Sequence, residues 1–170
     1  MAPDHKAPAA IARKIRAFRT ADAPAIAEIL HGSAEAAGWP PESYAKLAEL
    51  PGGVVLVCEA NGQPVGFVAA RQAADEAEIL NIAVHRDFRR QGIASALLLA
   101  AFGQFRRSTI NRVFLELRES NLPARALYER HGFVPSGRRK AYYHGPVEDA
   151  LCMMRKLIGI PDAKLPDLPS

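Results

Sequence analysis

The hydrophobic pattern along the chain changes period several times, and each change predicts an element. Lys14 to Thr20 predicts a short strand. Thr20 or Asp22 then caps a helix with Pro24 in its first turn. That helix runs to about Leu30, with Ile26, Ile29 and Leu30 on one side. Gly38-Trp39-Pro40-Pro41 separates it from a short helix over Glu42 to Leu50, which Pro51-Gly52-Gly53 ends. Val54 to Glu59 and Pro64 to Arg71 predict two strands joined at Asn61-Gly62, a two-residue hairpin signal. Glu76 to Val84 predicts a third. His85 to Gly92 is polar and basic. From Ile93, apolar residues recur at helical spacing: Ile93, Ala96, Leu97, Ala100, Ala101 and Phe105. Arg106 and Arg107 suit the negative C-terminal end of that helix. Arg112 to Arg118 alternates again, with Val113, Leu115 and Leu117 on one face and Phe114 and Glu116 on the other. Asn121 opens a helix to about His131, and Gly132 stops it. Phe133 to Tyr143 and Ala150 to Leu157 predict the last strands, joined by His144-Gly145-Pro146. This order predicts an α/β or α+β fold around one mixed, mostly antiparallel sheet.

Composition narrows the reading. At 170 residues, 49% hydrophobic and 24% charged, the chain suits one globular domain and excludes bulk disorder. The expected domain covers 14–158, between a flexible leader over 1–13 and a loose tail over 159–170 containing three prolines. No apolar run approaches the roughly 18 residues that span a bilayer, so no membrane partner is expected. Cys58 and Cys152 both lie in apolar stretches, which argues against a disulfide framework and for the cytoplasm. His31, His85 and His131 lack ligand spacing, so no metal is expected. The net charge of +4 permits polyanionic partners. Arg106, Arg107 and Arg112 offer a basic patch, but aromatics at 7% and no stacking motif weigh against nucleic acid.

The segment from Leu80 to Leu98 is the most informative. A strand ends, a basic turn containing Gly92 follows, and a helix starts. A helix N-terminus presents unpaired N–H groups and partial positive charge, and so suits an anion. Gly92 and Ala94 keep side chains away from the backbone, while Arg89 and Arg90 add charge. An ordinary strand-to-helix turn with solvated arginines fits the same residues.

The run Arg89-Arg90-Gln91-Gly92-Ile93-Ala94 resembles the pyrophosphate-binding motif of the GNAT acetyltransferase superfamily. The segments NIAV, LELRESN, ALYERHGF and YYHGPVEDALCM extend the similarity across Leu80 to Leu157, toward its ribosomal-protein-alanine N-acetyltransferase branch. The resemblance implies the GNAT fold, with helices flanking a sheet splayed at its central strands. It also implies an enzyme that moves an acetyl group from acetyl-CoA to an amine. The arm of acetyl-CoA would pair with backbone groups of Ile82, Ala83 and Val84, and Asn121 would contact it. Its pyrophosphate would rest on the turn formed by Arg89, Arg90, Gln91, Gly92, Ile93, Ala94 and Ser95. By the same resemblance Glu116 is the base and Tyr128 the acid, while Tyr142 and Tyr143 shape the acceptor entrance.

Pattern alone leaves other roles open. Glu116 also reads as a solvent-facing residue of an alternating strand, Tyr128 as core, Asn121 as a helix N-cap, and Tyr142 and Tyr143 as plain strand residues. Arg138, Arg139 and Lys140 read as a solvated face. The acceptor implied is a protein N-terminus, with acetylation of a small amine such as a polyamine or antibiotic as the alternative. A non-catalytic acyl-CoA-binding module is a further one, which the presence of both Glu116 and Tyr128 opposes. Cys58 and Cys152 read as buried and are not expected to carry the acetyl group.

Overall fold

The computed structural model describes residues 12–33, 36 and 38–157. The tail expected over 159–170 lies outside the described residues, as do positions 1–11 of the expected leader. Along the chain run β1 (Arg13–Ala17), α1 (Ala23–His31), α2 (Glu42–Glu49), β2 (Gly53–Ala60), β3 (Gln63–Ala73) and β4 (Glu76–Val84). Then come α3 (Ile93–Arg107), β5 (Arg112–Arg118), α4 (Leu122–Arg130), β6 (Val134–Tyr143) and β7 (Glu148–Lys156). Each predicted element is present, and most ends fall within two residues of their expected positions. The first strand is shorter than expected: it stops at Ala17, and a 3-10 turn over Thr20–Asp22 leads into α1.

The strands form one sheet in the order β1-β2-β3-β4-β5-β7-β6. All neighbours are antiparallel except β4 and β5. At the β2–β3 hairpin Asn61 (φ 50°) and Gly62 (φ 77°) are both left-handed, the conformation that a two-residue turn of this type demands.

Alternation along the strands divides the core between the two faces of the sheet. On one face Leu97, Leu98, Phe102 and Phe105 of α3, with Tyr128 of α4, pack on Leu56, Val68, Val113, Leu115 and Met153. On the other, Ile26 and Ile29 of α1 and Tyr44 and Leu47 of α2 pack on Val55, Val57, Phe67 and Ala69. Each Val, Leu, Ile, Phe or Met side chain among them contributes about 1.5–3 kcal/mol by leaving water. The buried stripe of α3 differs from the expected one: Leu98 and Phe102 are buried where Ala96 and Ala100 are half-buried. Leu98 and Phe102 bring larger apolar side chains to the core than Ala96 and Ala100 would.

Two details position the site. Gly66 lies so close to the start of α3 that a Cβ there would stand 3.1 Å from Ile93 Cγ2. The lack of a side chain lets the helix N-terminus dock against the end of β4. The β3–β4 register also slips: Ala69 pairs with Asn81 and Ala70 with Ile79, which leaves Leu80 as a bulge. Beyond the bulge the phase of β4 inverts. Ile79 faces the α3 side, but so do Ile82 and Val84, while Leu80 and Ala83 face α1 and α2.

Candidate active site

The parallel pairing of β4 with β5 ends at Ile79 and Leu115. From there the two strands diverge, and the backbone edge of Leu80 to Val84 that β5 has left is open to the gap. The gap is a cavity of about 870 Å³. Ile82, Ala83 and Val84 line one wall, with Asn121, Tyr128 and Tyr143 opposite. The turn before α3 forms its end, through Arg89, Arg90, Gly92, Ile93, Ala94 and Ser95. Arg118 and Arg130 also line it, so the cavity is basic.

The turn is built for close backbone approach. Arg90 (φ 62°) and Gly92 (φ 80°) are both left-handed, and a Cβ on Gly92 would meet nothing within 4 Å. The space beside Gly92 is therefore empty, and the amides of the first turn of α3 open onto it. The side chains of the motif do different work. Arg89 donates to Val84 O at 3.1 Å, Gly32 O at 2.6 Å and Ser33 Oγ at 2.9 Å, and so ties the chain after α1 to the end of β4. Gln91 donates to Asp87 O, and its own carbonyl and side chain are held by Arg13. Gln91, unlike the rest of the expected cradle, does not line the cavity.

Asn121 is the N-cap of α4, accepting from Ala124 N at 3.1 Å, and it also lines the cavity. Its capping and cofactor roles are thus compatible in space. Tyr128 is buried in the α3-side core, edge-on to Phe133 with ring centroids 5.6 Å apart. Burial, and then the neighbouring Tyr143, hold its phenol well above the ordinary value.

Glu116 sits one residue past the last β4–β5 pair. It lines the large cavity and also a smaller one of about 320 Å³, and among the described residues it alone is common to both linings. The smaller cavity contains Arg71, Glu78, Phe114, Arg139 and Cys152. It occupies the face of the sheet that carries α1 and α2, on strands those helices do not cover. Tyr142 lies beside Glu116, whose charge is the main reason the Tyr142 phenol is held above its usual value. Tyr143 is raised mainly by burial and stacks under the guanidinium of Arg118 at 4.4 Å. Arg118 pairs with Glu148 at 3.3 Å, and Glu148 accepts from Ser120 N, so the β6–β7 loop is braced against the end of β5.

The structure thus brings Glu116, Tyr128, Asn121 and Tyr143 to the cavity in the splay, while Tyr142 lies beside Glu116 but lines neither cavity. It also adds residues that sequence reasoning missed. Arg139, read as part of a solvated face, contacts Glu116. Cys152, read as buried, is half-buried, pairs with Glu116 across β5 and β7, and places Sγ 3.9 Å from Oε1. The alternation of β5 and β7 was the available signal for Cys152; Arg139 had none, because its placement depends on a register slip.

Residues 23–133 match the Acetyltransferase (GNAT) family model. A protein of Bacillus subtilis named as a candidate ribosomal protein bS18-alanine N-acetyltransferase is 35% identical over 140 residues, which is 82% of this chain and 92% of that one. The crystal structure of the ribosomal-protein-S18-alanine N-acetyltransferase from Escherichia coli superposes with TM-score 0.75 at 29% identity, covering 90% of this chain and 99% of the other. Ard1 from Thermoplasma volcanium gives 0.79 at 30% identity, covering 88% and 100%. With its splayed β4–β5 gap and glycine turn, the chain belongs to the GNAT family of acetyl-CoA-dependent N-acetyltransferases.

Proposed function

We propose that this acetyltransferase modifies the N-terminal α-amine of a protein, and that its acceptor is of the kind its relatives are named for, the N-terminal alanine of ribosomal protein bS18. The observation that carries the reading is the position of Glu116 between two cavities, the larger in the β4–β5 gap and the smaller over the paired parts of β4, β5 and β7. One cavity suits the acetyl donor and the other the amine, and the carboxylate stands where they meet.

The residues present fit acetyl-CoA, which supplies an acetyl group activated as a thioester. The amides from Arg90 to Ser95 and the Arg90 side chain would hold its pyrophosphate. The open backbone edge of Ile82, Ala83 and Val84 would pair with its arm, and the Asn121 side-chain amide would donate to it. A backbone N–H on that edge is placed to stabilise negative charge on the thioester oxygen. Glu116 takes the proton that the amine must lose. An α-amine, with a pKa of about 8, is cheaper to deprotonate at neutral pH than lysine at about 10.4, by roughly 3.4 kcal/mol. A single carboxylate base is therefore adequate for it. Tyr128 keeps its proton at working pH and donates to the departing sulfur. Tyr142 and Tyr143 border Glu116 on the side of the braced β6–β7 loop and would frame the incoming peptide.

The test is a comparison of acceptors. A peptide with a free N-terminal alanine should be acetylated. The same peptide with a blocked N-terminus and an internal lysine should turn over at least ~100-fold more slowly, in keeping with the difference in amine pKa. Equal turnover of the two peptides, or rapid acetylation of spermidine with neither touched, would replace this reading with a small-amine acceptor.

A further inference from the structure

The carboxylate of Glu116 is already engaged. Arg139 on β6 places Nε 2.8 Å from Oε1. Its side chain is 60% exposed, against 19% for Glu116, so a solvated arm reaches in to a sheltered carboxylate.

Strand geometry holds it there. Arg139 pairs with Ala150 and Tyr143 with Glu148, so four residue steps on β6 span two on β7. The extra residues form an arch in which Ala141 is left-handed (φ 49°), with its N–H bonded to Asp149 Oδ1 at 2.9 Å. Bulges beside active sites commonly re-aim side chains in this way. The arch brings Arg139 over the Tyr142 ring at 5.5 Å and into the smaller cavity. Glu78 and Glu76 are paired elsewhere, with Arg71 at 3.3 Å and Arg112 at 2.6 Å. Among the described residues Arg139 is the cation paired with the candidate base, which also accepts from Cys152 Sγ at 3.9 Å.

We propose that Arg139 is an acceptor gate: in the acceptor-free enzyme its guanidinium takes the place on Glu116 that the ammonium of the acceptor must occupy, and it swings out into solvent when the acceptor binds. The inference rests on the reading of Glu116 as the acceptor's base. Displacement is cheap because an exposed ion pair contributes little, and the guanidinium of a side chain already 60% exposed returns readily to water. The gate favours acceptors that arrive as cations able to replace a guanidinium. It also keeps Glu116 compensated while the site is empty.

Arg139→Gln, Arg139→Lys, Glu116→Gln and the double variant Glu116→Gln/Arg139→Gln separate the possibilities. The probe is the alanine peptide, with KM and kcat from initial rates and peptide affinity from calorimetry in the presence of CoA. Arg139→Gln should lower KM and tighten peptide binding about fivefold, the upper end for an exposed pair. Arg139→Lys should stay near wild type, and the CoA affinity of both should be unchanged. In the Glu116→Gln background the Arg139 change should have no effect on peptide affinity. An unchanged KM in Arg139→Gln overturns the gate, and a raised one shows instead that Arg139 holds the acceptor. If Glu116→Gln leaves kcat intact, it is the base assignment that falls. If Glu116→Gln lowers kcat while Arg139→Gln leaves KM alone, the gate falls by itself. Matching melting temperatures of wild type and Arg139→Gln exclude a folding artefact.

Discussion

Glu116, Tyr128 and Gly92 all line the large cavity, so each can be tested by a single substitution. Glu116→Gln preserves size and hydrogen bonding but removes basicity. It should lower kcat at neutral pH about 100-fold, the scale of a lost general base, with partial recovery above pH ~8, where the amine is neutral unaided. Tyr128→Phe keeps the ring that packs on Phe133 and deletes only the hydroxyl. A kcat reduced about 10-fold or more, with an unchanged Kd for acetyl-CoA, is the outcome that supports its role as acid; an unchanged kcat removes it. At Gly92, φ is 80° and nothing lies within 4 Å of a Cβ, so a side chain would project into the cavity and not into the protein. Gly92→Glu should cost about 1 kcal/mol of stability from the left-handed backbone and abolish acetyl-CoA binding in calorimetry. Retention of wild-type affinity would place the pyrophosphate elsewhere.

Among the elements, α3 and α4 carry the site jointly and are fastened at one point. His131, at the end of α4, shares a hydrogen bond with Ser95 Oγ in the first turn of α3 at 3.0 Å, and Arg155 Nη1 donates to its carbonyl at 2.5 Å. Burial, then the charges of Arg155 and Arg130, hold the imidazole below its ordinary pKa. The neutral ring is therefore the one the fold prefers. Since the folded-state pKa is depressed, this contribution is whole above the unfolded value of about 6.5 and is lost as pH falls from there through the folded-state value. Melting temperature should thus decline from about pH 7 toward pH 5, and His131→Gln, which keeps a hydrogen-bonding side chain but cannot titrate, should flatten that decline. A wild-type and variant that fall in parallel would assign the pH dependence to other groups. The element boundaries themselves were largely legible beforehand: Asn121 caps α4 through Ala124, and Asn61-Gly62 turns the β2–β3 hairpin, because caps and tight turns are set by neighbouring residues.

At the scale of the whole molecule, the β4–β5 gap and the smaller cavity share Glu116 in their linings. In the function proposed above, donor and acceptor are present together and transfer needs no carrier on the protein. Cys152 is near enough to invite that role, but burial, then Glu116, push its thiol above the ordinary value, away from the thiolate that would be the nucleophile. Initial-rate lines against acetyl-CoA and peptide should intersect in the wild type and in Cys152→Ala. Parallel lines that depend on Cys152 would overturn direct transfer.

What the sequence determined by itself is what acts over a few residues: helix and strand periods, the caps and turns, and the basic glycine turn leading into α3. The motifs around that turn also carried the family, and with it Glu116, Tyr128 and the tyrosine pair. Tertiary structure decided what depends on strands meeting in register. A bulge at Leu80 inverts the phase of β4, and the separation of β4 from β5 after Ile79 opens the gap. The arch at Ala141 turns Arg139 from a solvated residue into a partner of Glu116, and β5–β7 pairing puts Cys152 beside the same carboxylate. A shift of one residue in strand pairing moves a side chain to the opposite face, and that register is fixed by contacts between segments far apart in the chain, which no local pattern records.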